Sequence, residues 1–208
     1  MKPESLVFAV AGAFLGLVVG WVIGSQQAAV PRTTAAPAAA VSADAAPAQG
    51  AAAAPAPRAL DEAQADALRA SAEKAPKDAQ VRIQLGNLYF DAERYQDAAT
   101  WYEAALALEP ANANLSTDLG VSYYYLNQPD RALEQFDRSL RLDPNHAKTM
   151  LNQGIVKAFG KQDLPGAVAA WEKLIRVAPT SPEAQTAKRA LQGLKSAHPN
   201  VGGPTGGV

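Results

Sequence analysis

Apolar residues recur at helical spacing through residues 58–196, and the apolar stripes are separated by short polar turns. Stripes of this period predict amphipathic helices, and short turns between them predict that neighbouring helices pack as antiparallel pairs. No segment reads as a strand with a two-residue period. The sequence therefore predicts an all-α fold built from helical hairpins.

A second hydrophobic pattern lies at the N-terminus, where residues 6–23 contain no charged side chain. These 18 residues would form about 27 Å of helix, close to the roughly 30 Å of a bilayer core. The run is longer than the core of a cleavable signal, and residues 22–29 offer a poor cleavage site. We expect residues 1–24 to be a retained transmembrane signal anchor; a cleaved signal peptide is the alternative.

A row of glycines marks one side of this segment. Successive glycines are four residues apart, so the row drifts only about 40° per step around the helix. The row consists of Gly12, Gly16, Gly20 and Gly24. Small residues let membrane helices pack closely, which predicts contact with a partner helix or a homo-oligomer. The alternative is that membrane helices are simply rich in glycine.

The basic residues on the two sides of the uncharged segment indicate how the anchor is oriented in the membrane. Lys2 and the α-amine precede the segment, and Arg32 is the one basic residue soon after it. This bias favours a cytoplasmic N-terminus. In a bacterial cell the chain would then be a single-pass inner-membrane protein with its later residues in the periplasm. The chain has no cysteine, which excludes disulfides and is compatible with either side of the membrane.

Two segments lack the residues needed for a core. About half of residues 25–57 are alanine, and five prolines interrupt every long run. We expect this segment to be a disordered linker. The glycine-rich residues 197–208 are expected to be a disordered tail.

A repeat of 34 residues organises the remaining domain, residues 58–196. Each copy has a glycine, an alanine, an aromatic residue four positions after the alanine, and a proline eight positions later. The copies read Gly86, Ala98, Tyr102, Pro110; Gly120, Ala132, Phe136, Pro144; and Gly154, Ala167, Trp171, Pro179. The third copy has one extra residue between its glycine and its alanine. We expect the glycine and alanine to let two helices cross closely, the aromatic to pack against the next hairpin, and the proline to end the unit.

This pattern resembles the tetratricopeptide repeat (TPR) family, whose repeats are 34-residue helical hairpins stacked into a solenoid. Leu85-Gly86 with Tyr89, and Leu119-Gly120 with Tyr123, match the first-helix signature, whereas the third copy has Gln153-Gly154 and Lys157. The resemblance implies about three and a half repeats plus a capping helix. The predicted repeats are residues 79–112, 113–146 and 147–180, preceded by a helix in residues 60–79 and followed by a capping helix, residues 181–196.

No arrangement of side chains indicates an enzyme, a cofactor or a metal site. The two histidines, His146 and His198, are far apart in sequence, and we expect His146 to be a solvated turn residue. Acidic pairs fall on polar helix faces. The net charge of −1 gives no basic surface for nucleic acid.

The resemblance implies that the first helix of each hairpin lines a concave groove for a protein or peptide partner. The residues expected there are Asn87, Phe90, Asp91, Asn114, Val121, Tyr124, Tyr125, Lys148, Ile155 and Phe159, together with Ala158. Aromatic and amide side chains suit the binding of a peptide. The alternative for Phe90 and Phe159 is packing between repeats, and Tyr123 is expected in the core.

One known TPR mode clamps a C-terminal carboxylate with lysine, asparagine and arginine side chains. Asn87 and Lys148 match that mode, but Ile83, Asp118 and Asn152 depart from it. Because an aspartate there would repel the ligand, we do not expect a partner of this class.

The sequence thus predicts a membrane-anchored scaffold that binds a partner protein outside the cytoplasm. Residues 166–184 also resemble the last repeat of TPR domains in bacterial cytochrome c maturation factors, which implies an assembly factor as one alternative. A self-associating structural membrane protein is the other.

Overall fold

The computed structural model describes residues 58–199, and this part of the chain contains eight α-helices and no strand. The helices are α1 (Glu62–Lys74), α2 (Ala79–Asp91), α3 (Tyr95–Leu108), α4 (Ala113–Tyr125), α5 (Pro129–Leu142), α6 (Ala147–Ile155), α7 (Leu164–Val177) and α8 (Pro182–Ala197). A π-helical turn, Val156–Gly160, continues α6. The prediction of an all-α fold is confirmed.

The predicted anchor with its glycine row, the linker and residues 200–208 of the tail lie outside the described residues. Within residues 58–199, no helix combines the length and the apolar character needed to cross a membrane.

Three hairpins follow one another: α2 with α3, α4 with α5, and α6 with α7. Each hairpin turns through a residue with positive φ: Glu93, Asn127 and Gln162, at 57°, 58° and 56°. Side-chain caps begin several of the helices, because Asp78, Asn112 and Ser181 accept hydrogen bonds from exposed backbone N–H groups. Helix α1 packs on α2 at one end, and α8 packs on α6 and α7 at the other.

The repeat glycine and the repeat aromatic lie together inside each hairpin. A Cβ added at Gly86 would lie 2.3 Å from Tyr102 Cε1, and one at Gly120 would lie 2.5 Å from Phe136 Cε1. In the third hairpin Trp171 covers Gly154 and donates from Nε1 to the Leu151 carbonyl at 3.1 Å. The ring therefore packs over the glycine of its own hairpin, whereas the sequence analysis placed it against the next one.

The extra residue of the third repeat lies in the π-helical turn. The distance from the repeat glycine to the positive-φ residue is seven positions in the first two hairpins and eight in the third, from Gly154 to Gln162. The Lys161 N–H donates to the Val156 carbonyl at 3.0 Å, the five-residue spacing of a π-helix. Because the wider turn takes up one residue, α7 begins in the same register as α3 and α5.

Candidate protein-binding groove

The candidate groove is the surface of the first helices, α2, α4 and α6, on which most of the predicted binding residues lie. An ion pair joins two of these helices directly, since Lys148 Nζ lies 2.6 Å from Asp118 Oδ1. Both side chains are about one-quarter exposed. Asp118 thus neutralises the lysine that matched the carboxylate-binding mode, which leaves little positive charge there for an acidic ligand.

An aromatic cluster lies where α2 and α4 end and α3 begins. It consists of Phe90, Tyr95, Tyr124 and Tyr125. The Tyr95 and Tyr125 rings stack, with centroids 4.4 Å apart and planes 9° from parallel. The edge of Phe90 contacts both, at 5.3 and 5.7 Å, and Tyr124 lies 6.0 Å from Tyr125. All four side chains are half-buried, so the cluster joins two repeats and still reaches the surface.

Burial raises the pKa of the tyrosines in this cluster above the ordinary value of 10. Loss of solvation, with a smaller contribution from the Glu93 carboxylate, raises the pKa of Tyr95 to about 12. Burial also raises the pKa of Tyr125 and, more weakly, that of Tyr124. The cluster therefore offers neutral rings and hydroxyl groups that can donate hydrogen bonds.

The side-chain amides of the two predicted asparagines are each held by a hydrogen bond from outside their own helix. The Tyr102 hydroxyl donates to Asn87 Oδ1 at 2.8 Å, and Asn114 Oδ1 lies 2.8 Å from His146 Nε2. Asn87 and Asn114 are exposed, so their remaining polar atoms face the surface in fixed positions.

His146 belongs to a buried hydrogen-bond network, and its prediction as a solvated turn residue is wrong. Its Nδ1 lies 2.6 Å from Thr149 Oγ1, which lies 2.6 Å from Thr117 Oγ1 and 2.8 Å from Ser139 Oγ. Desolvation, the largest cause, lowers the pKa of His146. The network ties α4, α5 and α6 together across the second and third repeats. Its hydroxyl groups are far apart in sequence, which is why no local pattern indicated it.

The remaining predicted residues divide into surface and core. Phe159 is 37% exposed, Val121 is half-buried, and Asp91 is exposed and lies 3.6 Å from Arg58. Ile155 and Ala158 are only 5% and 4% exposed, so their prediction as groove residues is wrong. The π-helical turn explains Ala158: counted back from the positive-φ residue, it occupies the core position that Tyr123 holds in the second repeat.

Tyr95 belongs to the aromatic cluster but was not predicted, and Glu93 lies in the turn just before it. Both lie after the first helix of their hairpin, where the family resemblance gave no reason to look. The short sequence separation of Phe90 and Tyr95 could have indicated their contact, because a tight turn brings the ends of the two helices that it joins close together.

Residues 58–199 contain no group of three or more side chains arranged to hold a metal ion. Two open depressions lie mostly away from the groove. One is between α7 and α8, and the other follows the turn of residues 109–114, which includes Asn114.

Comparisons with protein families identify the repeats. The family model described as "TPR repeat" matches residues 86–127, and the model described as "Tetratricopeptide repeat" matches residues 113–146. Curated relatives include a Hsp70-Hsp90 organizing protein of Triticum aestivum, 30% identical over 59% of this chain. A peroxisomal targeting signal receptor of Candida albicans is 29% identical over 43% of the chain. The chain covers only 21% and 15% of these two proteins.

Solved structures share the fold. The first TPR of Spaghetti (RPAP3), bound to the HSP90 peptide SRMEEVD, superposes with a TM-score of 0.52 at 24% identity, over 57% of this chain and 91% of that one. A MamA structure gives a TM-score of 0.54 at 20% identity, over 64% and 78%. Tetratricopeptide repeats are thus confirmed within residues 86–146, and the described residues form a TPR-type helical solenoid.

Proposed function

We propose that this chain is a membrane-anchored TPR scaffold that binds a segment of a partner protein in the groove of its first helices. The observation that carries the proposal is the partly exposed aromatic cluster beside the fixed amides of Asn87 and Asn114. Rings supply contact area at low entropic cost, and amides can bond an extended backbone. We propose a binding protein rather than an enzyme.

The kind of partner differs from that of one structural relative. The RPAP3 domain is described as bound to a peptide that ends in Glu-Glu-Val-Asp. In this chain Asp118 neutralises Lys148, and Ile83 and Asn152 supply no positive charge in place of the clamp residues. We therefore propose an internal, non-acidic segment as the ligand.

The anchor and the location are proposed from sequence. The uncharged run at residues 6–23 supports a membrane-spanning segment, and the basic-residue bias supports a periplasmic TPR domain. A C-terminal fusion to alkaline phosphatase should be active and a fusion to green fluorescent protein dark. The reverse pattern would place the domain in the cytoplasm.

Two further roles remain proposals. The glycine row supports self-association within the membrane. The resemblance of residues 166–184 to cytochrome c maturation factors would make the partner an apocytochrome. Identification of the partner separates these roles.

Site-specific photocrosslinking tests the groove. A photoreactive phenylalanine analogue is placed at Phe159, on the groove side, or at Leu142, which ends α5 and is similarly exposed at 41%. We expect crosslinks to a defined partner from position 159 and none from position 142. Equal labelling at both positions, or labelling from position 142 alone, would contradict the groove assignment.

A further inference from the structure

Two tyrosines of this structure are covered by an arginine that a carboxylate holds in place. The Arg131 guanidinium carbon lies 3.8 Å from the Tyr123 ring centroid, and its Nη2 lies 3.3 Å from Glu103 Oε1. Arg94 lies 5.3 Å from the Tyr89 centroid, its Nη2 lies 2.7 Å from Asp97 Oδ2, and its Nη1 lies 3.9 Å from Glu62 Oε1. A cation over a ring is attracted by its π face, and the carboxylate fixes the position of the cation.

A third set of rings has the carboxylate but lacks the cation. Tyr95 and Tyr125 stack on each other, and Glu93 lies in the turn that joins Phe90 to Tyr95, whose rings are in edge contact. Among residues 58–199, no arginine or lysine lies over either ring, and none forms an ion pair with Glu93.

The turn does not require an acid at position 93. Glu93 has a φ of 57°, and its N–H donates to the Phe90 carbonyl at 2.9 Å. Neutral amides, Asn127 and Gln162, occupy the equivalent positions with the same backbone conformation. Asparagine is among the residues best suited to positive φ, so local geometry gives no reason for the carboxylate.

Two lysines of the third repeat are already held by carboxylates of the second repeat. Lys148 is paired with Asp118, and Lys161 lies 2.6 Å from Asp130 Oδ1. Asp91, two residues before Glu93 at the end of α2, is already paired with Arg58, whose Nη1 lies 3.6 Å from Asp91 Oδ2. Glu93 is thus the acid beside the cluster for which residues 58–199 show no ion-pair partner, and this charge favours a positively charged ligand.

We propose that Glu93, Tyr95 and Tyr125 form a receptor for an arginine side chain of the partner segment. The inference rests on the proposed function and names the chemistry of its ligand. Arginine fits better than lysine, because a planar guanidinium can lie against a ring edge or face while it donates two hydrogen bonds to one carboxylate. The chain already uses the same arrangement at Tyr123.

Selection from a library of random 12-residue peptides on phage tests this inference. The target is the full-length chain in detergent, and bound phage are required to lose binding to a Tyr124→Ala/Phe159→Ala groove variant. Selected peptides are then synthesised with arginine or with its uncharged isostere citrulline. Binding is measured to the wild type, to Glu93→Gln, and to a Glu134→Gln control on exposed α5. Gln at position 93 should preserve the turn, as Gln162 shows.

We expect selected peptides to share an arginine, and replacement by citrulline to weaken binding about fivefold to tenfold. Glu93→Gln should cause a similar loss, with little further loss when both changes are combined, and Glu134→Gln should have no effect. Groove-dependent peptides without a basic residue, or with unchanged affinity for Glu93→Gln, would overturn the arginine receptor and leave the scaffold function intact. Failure to select any groove-dependent peptide would overturn both.

Discussion

The repeat glycines show how a single residue sets the packing of a hairpin. At Gly120 a Cβ would meet Phe136 Cε1 at 2.5 Å and Cδ1 at 2.8 Å, and Phe136 is fully buried. The ring has no space to move away, because it lies between two helices of a close-packed core. This position therefore requires a residue without a Cβ, although glycine has a poor helix propensity.

Gly120→Ala should lower the free energy of unfolding by about 1–2 kcal/mol. Overpacking costs about 1–3 kcal/mol, and the better helix propensity of alanine returns up to about 1 kcal/mol. Urea denaturation measures the change. A second substitution, Phe136→Leu, should relieve the clash, so the double variant should be more stable than the sum of the single effects predicts. Additive effects would show that the clash is not the cause.

His146 makes stability depend on pH. Its pKa is lowered in the folded chain relative to the ordinary value of 6.5, so the unfolded chain binds the proton more readily. Stability is then fully present above pH 6.5 and falls as the pH drops towards the lowered pKa. Nearby Asp143, Asp118 and Glu183 oppose this effect, and Lys148 adds to it.

We expect the urea concentration at the midpoint of unfolding to decrease as the pH is lowered from 7.5 to 5. A His146→Asn variant should lose part of this dependence. Carboxylates elsewhere contribute equally to both proteins, so the difference between them isolates His146. An identical pH dependence in the variant would show that this imidazole does not titrate between the two states.

At the level of helices, the π-helical turn accommodates the one-residue difference between the repeats. Removing Lys157 would leave seven positions between Gly154 and Gln162, as in the other hairpins. Ala158 and Phe159 would then occupy the positions of Tyr123 and Tyr124 in a regular α-helix. Insertions of this kind are commonly held as single π-helical turns, often at functional sites.

Deletion of Lys157 should therefore yield a folded protein that is at least as stable as the wild type. Thermal unfolding measures stability, and backbone chemical shifts should show a continuous α-helix from residue 147 to the turn. Deletion of Ser122, at a matched point of α4 that has no extra residue, should be strongly destabilising. If both deletions were equally harmful, the π-helical turn would not be the means of accommodation.

The hairpins could be predicted from sequence because the repeat spacing encodes contacts within each 34-residue unit. The extra residue of the third repeat was visible, but its absorption as a π-helical turn was not, since several loop lengths fit the same insertion. The groove was predicted only in part. Phe159, Val121, Tyr124 and Tyr125 reach the surface, whereas Ile155 is buried. The burial of Ile155 was missed because sequence spacing alone does not reveal which helices pack beside it.

At the level of the whole molecule, the proposed architecture joins a membrane segment, a linker and a binding domain. In the proposed membrane segment, Gly16→Ile with Gly20→Ile should abolish any detergent-resistant oligomer, because the added side chains would keep two packed helix backbones apart. Circular dichroism should show an unchanged TPR domain. Gel electrophoresis in mild detergent measures the oligomer, and its persistence would exclude packing through the glycine row.

The most direct test of the scaffold is crosslinked affinity purification of the full-length chain from its native host cells. The wild type is compared with the folded groove variant Tyr124→Ala/Phe159→Ala and with Leu108→Ala/Leu142→Ala. The latter removes exposed apolar side chains from the ends of the second helices α3 and α5. We expect a defined set of proteins to be lost from the groove variant alone. Partners retained by the groove variant, or lost equally from both variants, would contradict the assignment of the groove as the binding surface.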